Sequence, residues 1–173
     1  MIGSLATFPD AVGLFATVLS VGAFLLTGPR RILAVSTLGS IAWVLHFGLL
    51  GAWAGAATSL GSTVRNGAGA WLDRRAMIWF TWAAAIAVMT IGLLVDPRGF
   101  VILLSAPIRA FANHLRNHEI WFRLVCSLSG AMYVIYAMSI GSFMVLLSAV
   151  VTTSVVLGAP LIRYLLGGRA GAQ

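Results

Sequence analysis

Residues 32–64 read ILAVSTLGSIAWVLHFGLLGAWAGAATSLGSTV, 33 consecutive positions without Asp, Glu, Lys or Arg. A single helix of that length would rise about 50 Å, well beyond the roughly 30 Å of hydrocarbon in a bilayer. The stretch is therefore expected to fold back on itself. Its reversal is placed in the run containing Gly48, Gly51 and Gly55, because glycine accepts the backbone angles that a tight turn demands. The same reasoning divides residues 124–162, 39 positions without a formal charge, at Ser139-Ile140-Gly141-Ser142. Two apolar hairpins result.

The intervals around these hairpins are of single-span length. Residues 11–28 make one span, residues 76–95 make a second closed by Asp96-Pro97, and residues 99 to about 112 make a shorter one that carries Pro107 and Arg109. Seven helices are expected, at about 11–27, 32–50, 53–72, 76–95, 99–113, 121–139 and 143–165. The fold class is an all-α integral membrane protein, a single transmembrane domain over residues 1–173. Composition agrees, since 60% of the residues are apolar, 9% are charged and the mean hydropathy is +1.00, which excludes a water-soluble globule. The first arginines follow the first apolar run rather than precede it, so that run reads as a span and not as a cleaved signal peptide.

All eleven basic residues are arginine, against four acidic residues (Asp10, Asp73, Asp96 and Glu119), for a net charge of +7. These arginines sit in small groups between apolar runs, not on one basic face, so nucleic acid is not an expected partner. Their distribution sets an orientation. With the N-terminus outside and the C-terminus cytoplasmic, Arg30, Arg31, Arg74, Arg75, Arg116, Arg123 and Arg169 lie inside and Arg98 alone lies outside. Omitting the short fifth span would put Arg116 and Arg123 on the wrong side. The lone cysteine, Cys126, excludes an intrachain disulfide and a cysteine-based zinc site.

The second and sixth spans read alike at a shift of ninety residues: Trp43 falls on Tyr133, His46 on Tyr136, Leu50 on Ile140 and Gly51 on Gly141. Spans one to three (about 9–72) and five to seven (about 99–165) then form two parallel three-helix repeats, joined by a linker helix at about 76–95. This 3+1+3 arrangement resembles the sugar-permeating SWEET proteins and their PQ-loop and vitamin-transporter relatives. The segment His46-Phe47-Gly48-Leu49-Leu50-Gly51, followed by Gly55-Ala56 and Arg65-Asn66, resembles the bacterial inner-membrane YgjV family. The resemblance implies a multi-pass location in the bacterial inner membrane and, indirectly, solute transport. The proline-glutamine pair of PQ-loop proteins is absent, because the single glutamine is Gln173, so no hinge role carries over from those relatives.

Arg65 is the most informative side chain. It precedes Arg74 and Arg75 by nine or ten residues, about 14 Å of helix rise, which is further than a snorkelling arginine reaches. An intramembrane arginine costs at least about 2.5 kcal/mol on insertion scales and is expected to face a bundle interior, a polar cavity or a bound anion. Two uses stay open for it: lining a solute site with Asn66 beside it, or anchoring its helix on carbonyls and on hydroxyls such as Ser59, Ser62 and Thr63. His46 is either a packing residue with hydrogen-bond partners or a proton carrier. No intramembrane carboxylate is available to pair with it, which favours passive facilitation over ion coupling.

Trp43, Tyr133 and Tyr136 offer aromatic faces to a ring-shaped solute or belong to an interfacial belt, the belt being preferred for Trp53, Trp71, Trp79 and Trp121. Thr152, Thr153 and Ser154 bond a solute or, more commonly, neighbouring helices. Pro107 is expected to bend the fifth span, Pro160 raises the same question in the seventh, and Arg109 and Arg163 read first as interfacial anchors. His114 and His118 lack a third metal ligand, and no metal or cofactor is expected. The chain contains no GxSxG, HExxH or Walker pattern, so an enzyme is not expected.

The functional expectation is a small-solute transporter or facilitator with a substrate-binding set of Arg65, Asn66, Trp43, His46, Tyr133 and Tyr136. The alternative is a non-transporting structural, lipid-binding or partner-binding membrane protein, using the spacing Gly51-x-x-x-Gly55 for close helix approach. Candidate partners are membrane lipid, a small polar or anionic solute and further copies of the chain. Terminal reporter fusions test the topology: a periplasm-active reporter should work at the N-terminus and a cytoplasm-active one at the C-terminus. Both tails on one side would refute the odd number of spans.

Overall fold

Both expected reversals occur at glycines with left-handed backbone, Gly51 and Gly141, each with φ of 66°. In the first turn the Gly51 amide donates to the Gly48 carbonyl at 3.1 Å and the Ala52 amide to the Phe47 carbonyl at 2.9 Å. In the second the Gly141 amide and the Ser142 amide both donate to the Ala137 carbonyl, the latter at 3.0 Å. These bonds satisfy carbonyls that the ended helix leaves free, and the left-handed residue between them is the one place where a Cβ is strongly disfavoured.

A computed structural model describes residues 7–23, 29–68, 71–115 and 118–167, with the side chains of Pro29, Arg30, Arg74, Arg98, Asn113, His114, Glu119, Ile120, Phe122 and residues 159–167 outside the description. Arg116, Asn117, Arg169 and Gln173, and the side chain of Arg163, therefore lie outside the described residues. Every regular element described is helical: α1 (Phe8–Ala23), α2 (Pro29–Leu49), α3 (Trp53–Ala68), α4 (Arg74–Val95), a 3₁₀ turn (Pro97–Gly99), α5 (Phe100–Leu103), α6 (Ser105–His114), α7 (Glu119–Ile140) and α8 (Phe143–Gly167). Helices α5 and α6 share the expected fifth span, so seven helical segments are present among the described residues.

The proline expectations resolve locally. The fifth segment breaks at Leu104, three residues before Pro107, whose nitrogen has no hydrogen to give the Leu103 carbonyl. In α8 the corresponding vacancy is at Val156, four residues before Pro160, and there the Arg123 guanidinium of α7 donates to the Val156 carbonyl. Helix α3 ends at Ala68 and not near residue 72, with the Ala68 carbonyl accepting from Trp71 and Leu72 at 3.0 Å each. The run Gly67-Ala68-Gly69 has low helix propensity. Arg65 consequently occupies the last turn of α3, about 4.5 Å of rise from its end.

Burial is inverted relative to a soluble globule. The interior is built from small residues such as Ala16, Ala42, Ala54, Ala85, Ala110 and Ala137, while Phe15, Leu45, Ile86, Leu94, Ile135 and Met138 are exposed. Small residues let helices approach closely where lipid supplies no hydrophobic drive between them, and large apolar side chains on the outside suit a hydrocarbon solvent. Arg31–Leu49, Arg75–Val95 and Arg123–Ile140 are long and apolar enough to cross a membrane, and Phe8–Ala23, Phe100–Ala112 and Phe143–Gly158 are shorter apolar stretches. Helix α3 is the polar exception, carrying Thr58, Ser59, Ser62, Thr63, Arg65 and Asn66. It packs among α2, α4, α5 and α6 and so needs only a narrow lipid-facing strip, which Leu60 and Val64 provide. Trp53, Trp71, Trp79 and Trp121 are exposed at or near helix starts, as an interfacial belt requires.

Consecutive segments pack side by side: α1 on α2, α2 on α3, α3 on α4, α4 on α6, α6 on α7 and α7 on α8. Helix α8 returns to α1, and α3 also meets α5 and α6 directly. The core cluster around Phe47, Ile102, Leu103, Tyr136 and Val145 lies toward the end of the bundle that carries the two glycine turns, called the hairpin end below. Gly51→Ala and Gly141→Ala should each lose roughly 1–2 kcal/mol of stability, read as a lowered unfolding midpoint in detergent. Gly48→Ala, in open helical surface, should leave the midpoint unchanged or raised.

Candidate functional site

At the hairpin end the chain arranges its polar groups as links between helices. His46 of α2 is completely buried, with Nδ1 2.8 Å from the Pro9 carbonyl of α1 and Nε2 3.2 Å from Ser142 Oγ before α8. A carbonyl can only accept, so Nδ1 carries the hydrogen and donates to Pro9. Ser142 Oγ already accepts the Val145 amide at 3.3 Å as the cap of α8, which leaves its hydrogen to donate to His46 Nε2. Every polar atom of the imidazole is thereby used.

Helix α3 has no hydroxyl at the place equivalent to Ser142, where Ala52 stands. Its free amides are met from elsewhere in the chain. Gly55 N–H donates to the Tyr136 hydroxyl at 3.2 Å, and Ala54 N–H to Asp96 Oδ2 at 3.4 Å. Asp96 thus serves the N-terminus of α3, where a carboxylate is favoured by the helix dipole. Asp73 does the same for α4, accepting from Ala76 N–H at 2.8 Å. Trp43 donates from Nε1 to Ser20 Oγ at 3.1 Å and packs with His46 and Phe47, whose ring in turn lies 6.0 Å from that of Tyr136.

Farther from the hairpin end, α3, α4 and α6 border a half-open cavity of about 20 Å³ lined by Thr58, Ser62, Arg65, Thr81 and Arg109 among apolar residues. That volume accommodates about one water and no whole metabolite. Thr58 and Thr81 return their hydroxyls to their own helices, to Ala54 and Met77 carbonyls at 2.8 and 2.7 Å. Arg109 donates from Nε to Ser129 Oγ at 2.9 Å and lies over the Tyr133 ring, 5.3 Å from its centroid. Arg65 has no hydrogen-bond partner among the described residues. Arg65, Arg109 and Arg123 all lie within electrostatic range of Cys126.

The six sequence candidates therefore fall in separate places. Trp43, His46 and Tyr136 are together at the hairpin end, while Tyr133, one turn before Tyr136, packs against the core on one side and receives Arg109 on its face. Arg65 lines the cavity, and Asn66 turns to α2, donating to Ser40 Oγ at 3.5 Å. Thr153 packs on Gly130 of α7, and no three metal-ligating side chains cluster among the described residues. Sequence reasoning treated Arg109 as an interfacial anchor and did not find Ser142 or Asp96 as partners. The signal for Arg109 was the one that marked Arg65, an arginine inside an apolar run.

A family model described as Imp-YgjV, bacterial inner membrane protein, matches residues 7–164. That span is nearly the whole of the chain, which belongs to this family and is a multi-pass protein of the bacterial inner membrane. No curated protein and no solved structure matches it. Tyr136→Phe removes the acceptor of the buried Gly55 amide and should cost about 1–3 kcal/mol, measured by unfolding in detergent. His46→Ala should cost more than Tyr136→Phe, because it removes a bond to the Pro9 carbonyl, takes the acceptor from the Ser142 hydroxyl and opens a void.

Proposed function

We propose that this inner-membrane protein is a small-solute transporter or facilitator of the SWEET-like type. Helices α1 to α3 and α5 to α8 form two parallel three-helix units, α4 links them, and the N-terminus is outside. Helix pairing supports this reading: α1 on α2 answers α6 on α7, α2 on α3 answers α7 on α8, and α8 on α1 answers α3 on α5. So do the two glycine turns, ninety residues apart with the same φ.

The observation that carries the proposal is the cavity bordered by Arg65 where the first unit, the linker and the second unit meet. Parallel repeats place a solute site near such a junction. In this conformation the hairpin end is closed above it by the Phe47–Tyr136 core and by the His46–Ser142 and Gly55–Tyr136 hydrogen bonds, each of which joins one unit to the other. Opening toward that side separates the units and breaks both bonds. Opening toward the other side leaves them intact. Arg65 recognises an anionic or strongly polar group of the solute, and Tyr133 supports Arg109 beside it.

The competing reading, a non-transporting lipid-binding or partner-binding protein, draws on the same tight packing at the hairpin end. Uptake into vesicles containing the purified chain separates the two, using a panel of sugars, nucleosides, vitamins and organic anions. At least one solute should be taken up, with Arg65→Ala lowering the rate at least about tenfold. Absence of flux for every solute, with the protein shown to be folded, would overturn the transport reading.

A further inference from the structure

We infer that Arg65 and Arg109 form a two-guanidinium clamp for an oxyanion, a carboxylate or phosphate group carried by a solute or by a lipid headgroup. The inference deepens the reading of this cavity as a binding site and rests on it. Both side chains border one half-open cavity, and neither pairs with a carboxylate among the described residues. Asp10 and Asp96 are engaged near the hairpin end with Thr7 and Ala54, and Asp73 is an exposed cap on α4. Two cations facing one low-dielectric space repel each other, and an anion between them turns that repulsion into attraction.

Arg109 is prepared for such a ligand. Its Nε bond to Ser129 and the Tyr133 ring under its face fix the guanidinium plane, leaving the terminal N–H groups, which suit the two oxygens of a carboxylate or phosphate edge. Arg65 stands in the last turn of α3, where the negative end of the helix dipole favours a cation, and its donors have no protein partner among the described residues. A neutral sugar gives no reason for two guanidiniums in one apolar-walled space. Since the half-open cavity of about 20 Å³ takes about one water-sized group, one oxygen of the oxyanion enters it while the rest of the group and the ligand's body stay at its open mouth, within reach of the arginine N–H groups.

The test uses the full-length protein in phosphatidylcholine nanodiscs, titrated with inorganic phosphate and with succinate. A parallel arm adds phosphatidylglycerol to the disc and reads lipid retention by native mass spectrometry. At least one of these oxyanions should raise the unfolding midpoint of the native chain, and its half-saturating concentration should rise at least about tenfold in Arg65→Gln and in Arg109→Gln. Stabilisation by phosphate or succinate assigns the group to a soluble ligand, whereas phosphatidylglycerol retention lost in both variants assigns it to a headgroup. No response to any of the three, or an unchanged response in both variants, would overturn the clamp. Should the glutamine variants not fold, Arg65→Lys and Arg109→Lys carry the test, since lysine keeps the charge but lacks the planar fork and should weaken binding. An undiminished response in both lysine variants would then overturn it. Oxyanion binding without flux would sink transport and leave the clamp standing, whereas flux undiminished in both glutamine variants would do the reverse.

Discussion

Two hydrogen bonds hold together the halves of this bundle, and they are reciprocal. His46 and Tyr136 occupy matching positions ninety residues apart, each ahead of a left-handed glycine. Each reaches across to the start of the other hairpin's second helix: His46 to Ser142, which caps α8, and Tyr136 to the Gly55 amide in the first turn of α3. A helix N-terminus has amides that its own turns cannot satisfy, and in a lipid-surrounded interior water does not satisfy them either. Each hairpin thus completes the other. The aromatic contacts among Trp43, His46, Phe47 and Tyr136 fill the space around the two bonds.

The same constraint explains how the remaining polar groups are deployed. Where proline leaves the Val156 carbonyl without an intrahelical donor, Arg123 supplies one from the neighbouring helix. Where α3 lacks a capping side chain, Asp96 arrives from the turn after α4. Trp43 with Ser20, Asn66 with Ser40 and Arg109 with Ser129 each bridge two helices through a side-chain hydrogen bond. Against this background Arg65 stands out, because its helix places a guanidinium beside a cavity without giving it a protein acceptor among the described residues. The Ser105 hydroxyl at the start of α6 is likewise buried without a hydrogen-bond partner among the described residues.

The division between hairpin end and arginine cavity also bears on how a solute path would work. The hairpin end is closed by ring packing and by directional bonds, both of which are lost together once the units part. The cavity end is bordered by small residues and by Arg65 and Arg109, and Arg109 is held by one serine and one ring face. The bonds of the hairpin end and the proposed solute site therefore draw on different residues.

The sequence by itself determined the helical membrane architecture and the hairpin positions. An uncharged run too long to cross once has to reverse, and glycine is the residue that reverses a helix with least strain. It also marked Arg65, because charge in an apolar run is costly wherever it points. It did not determine where α3 stops, and so did not place Arg65 in the last turn of that helix. Nor did it reveal that Trp43, His46 and Tyr136 serve the hairpin end while Arg109 shares the cavity with Arg65. Those assignments depend on which helix lies beside which and on rotation about each helix axis. Spacing along one chain gives the face a residue occupies, but only the packed bundle decides what that face meets.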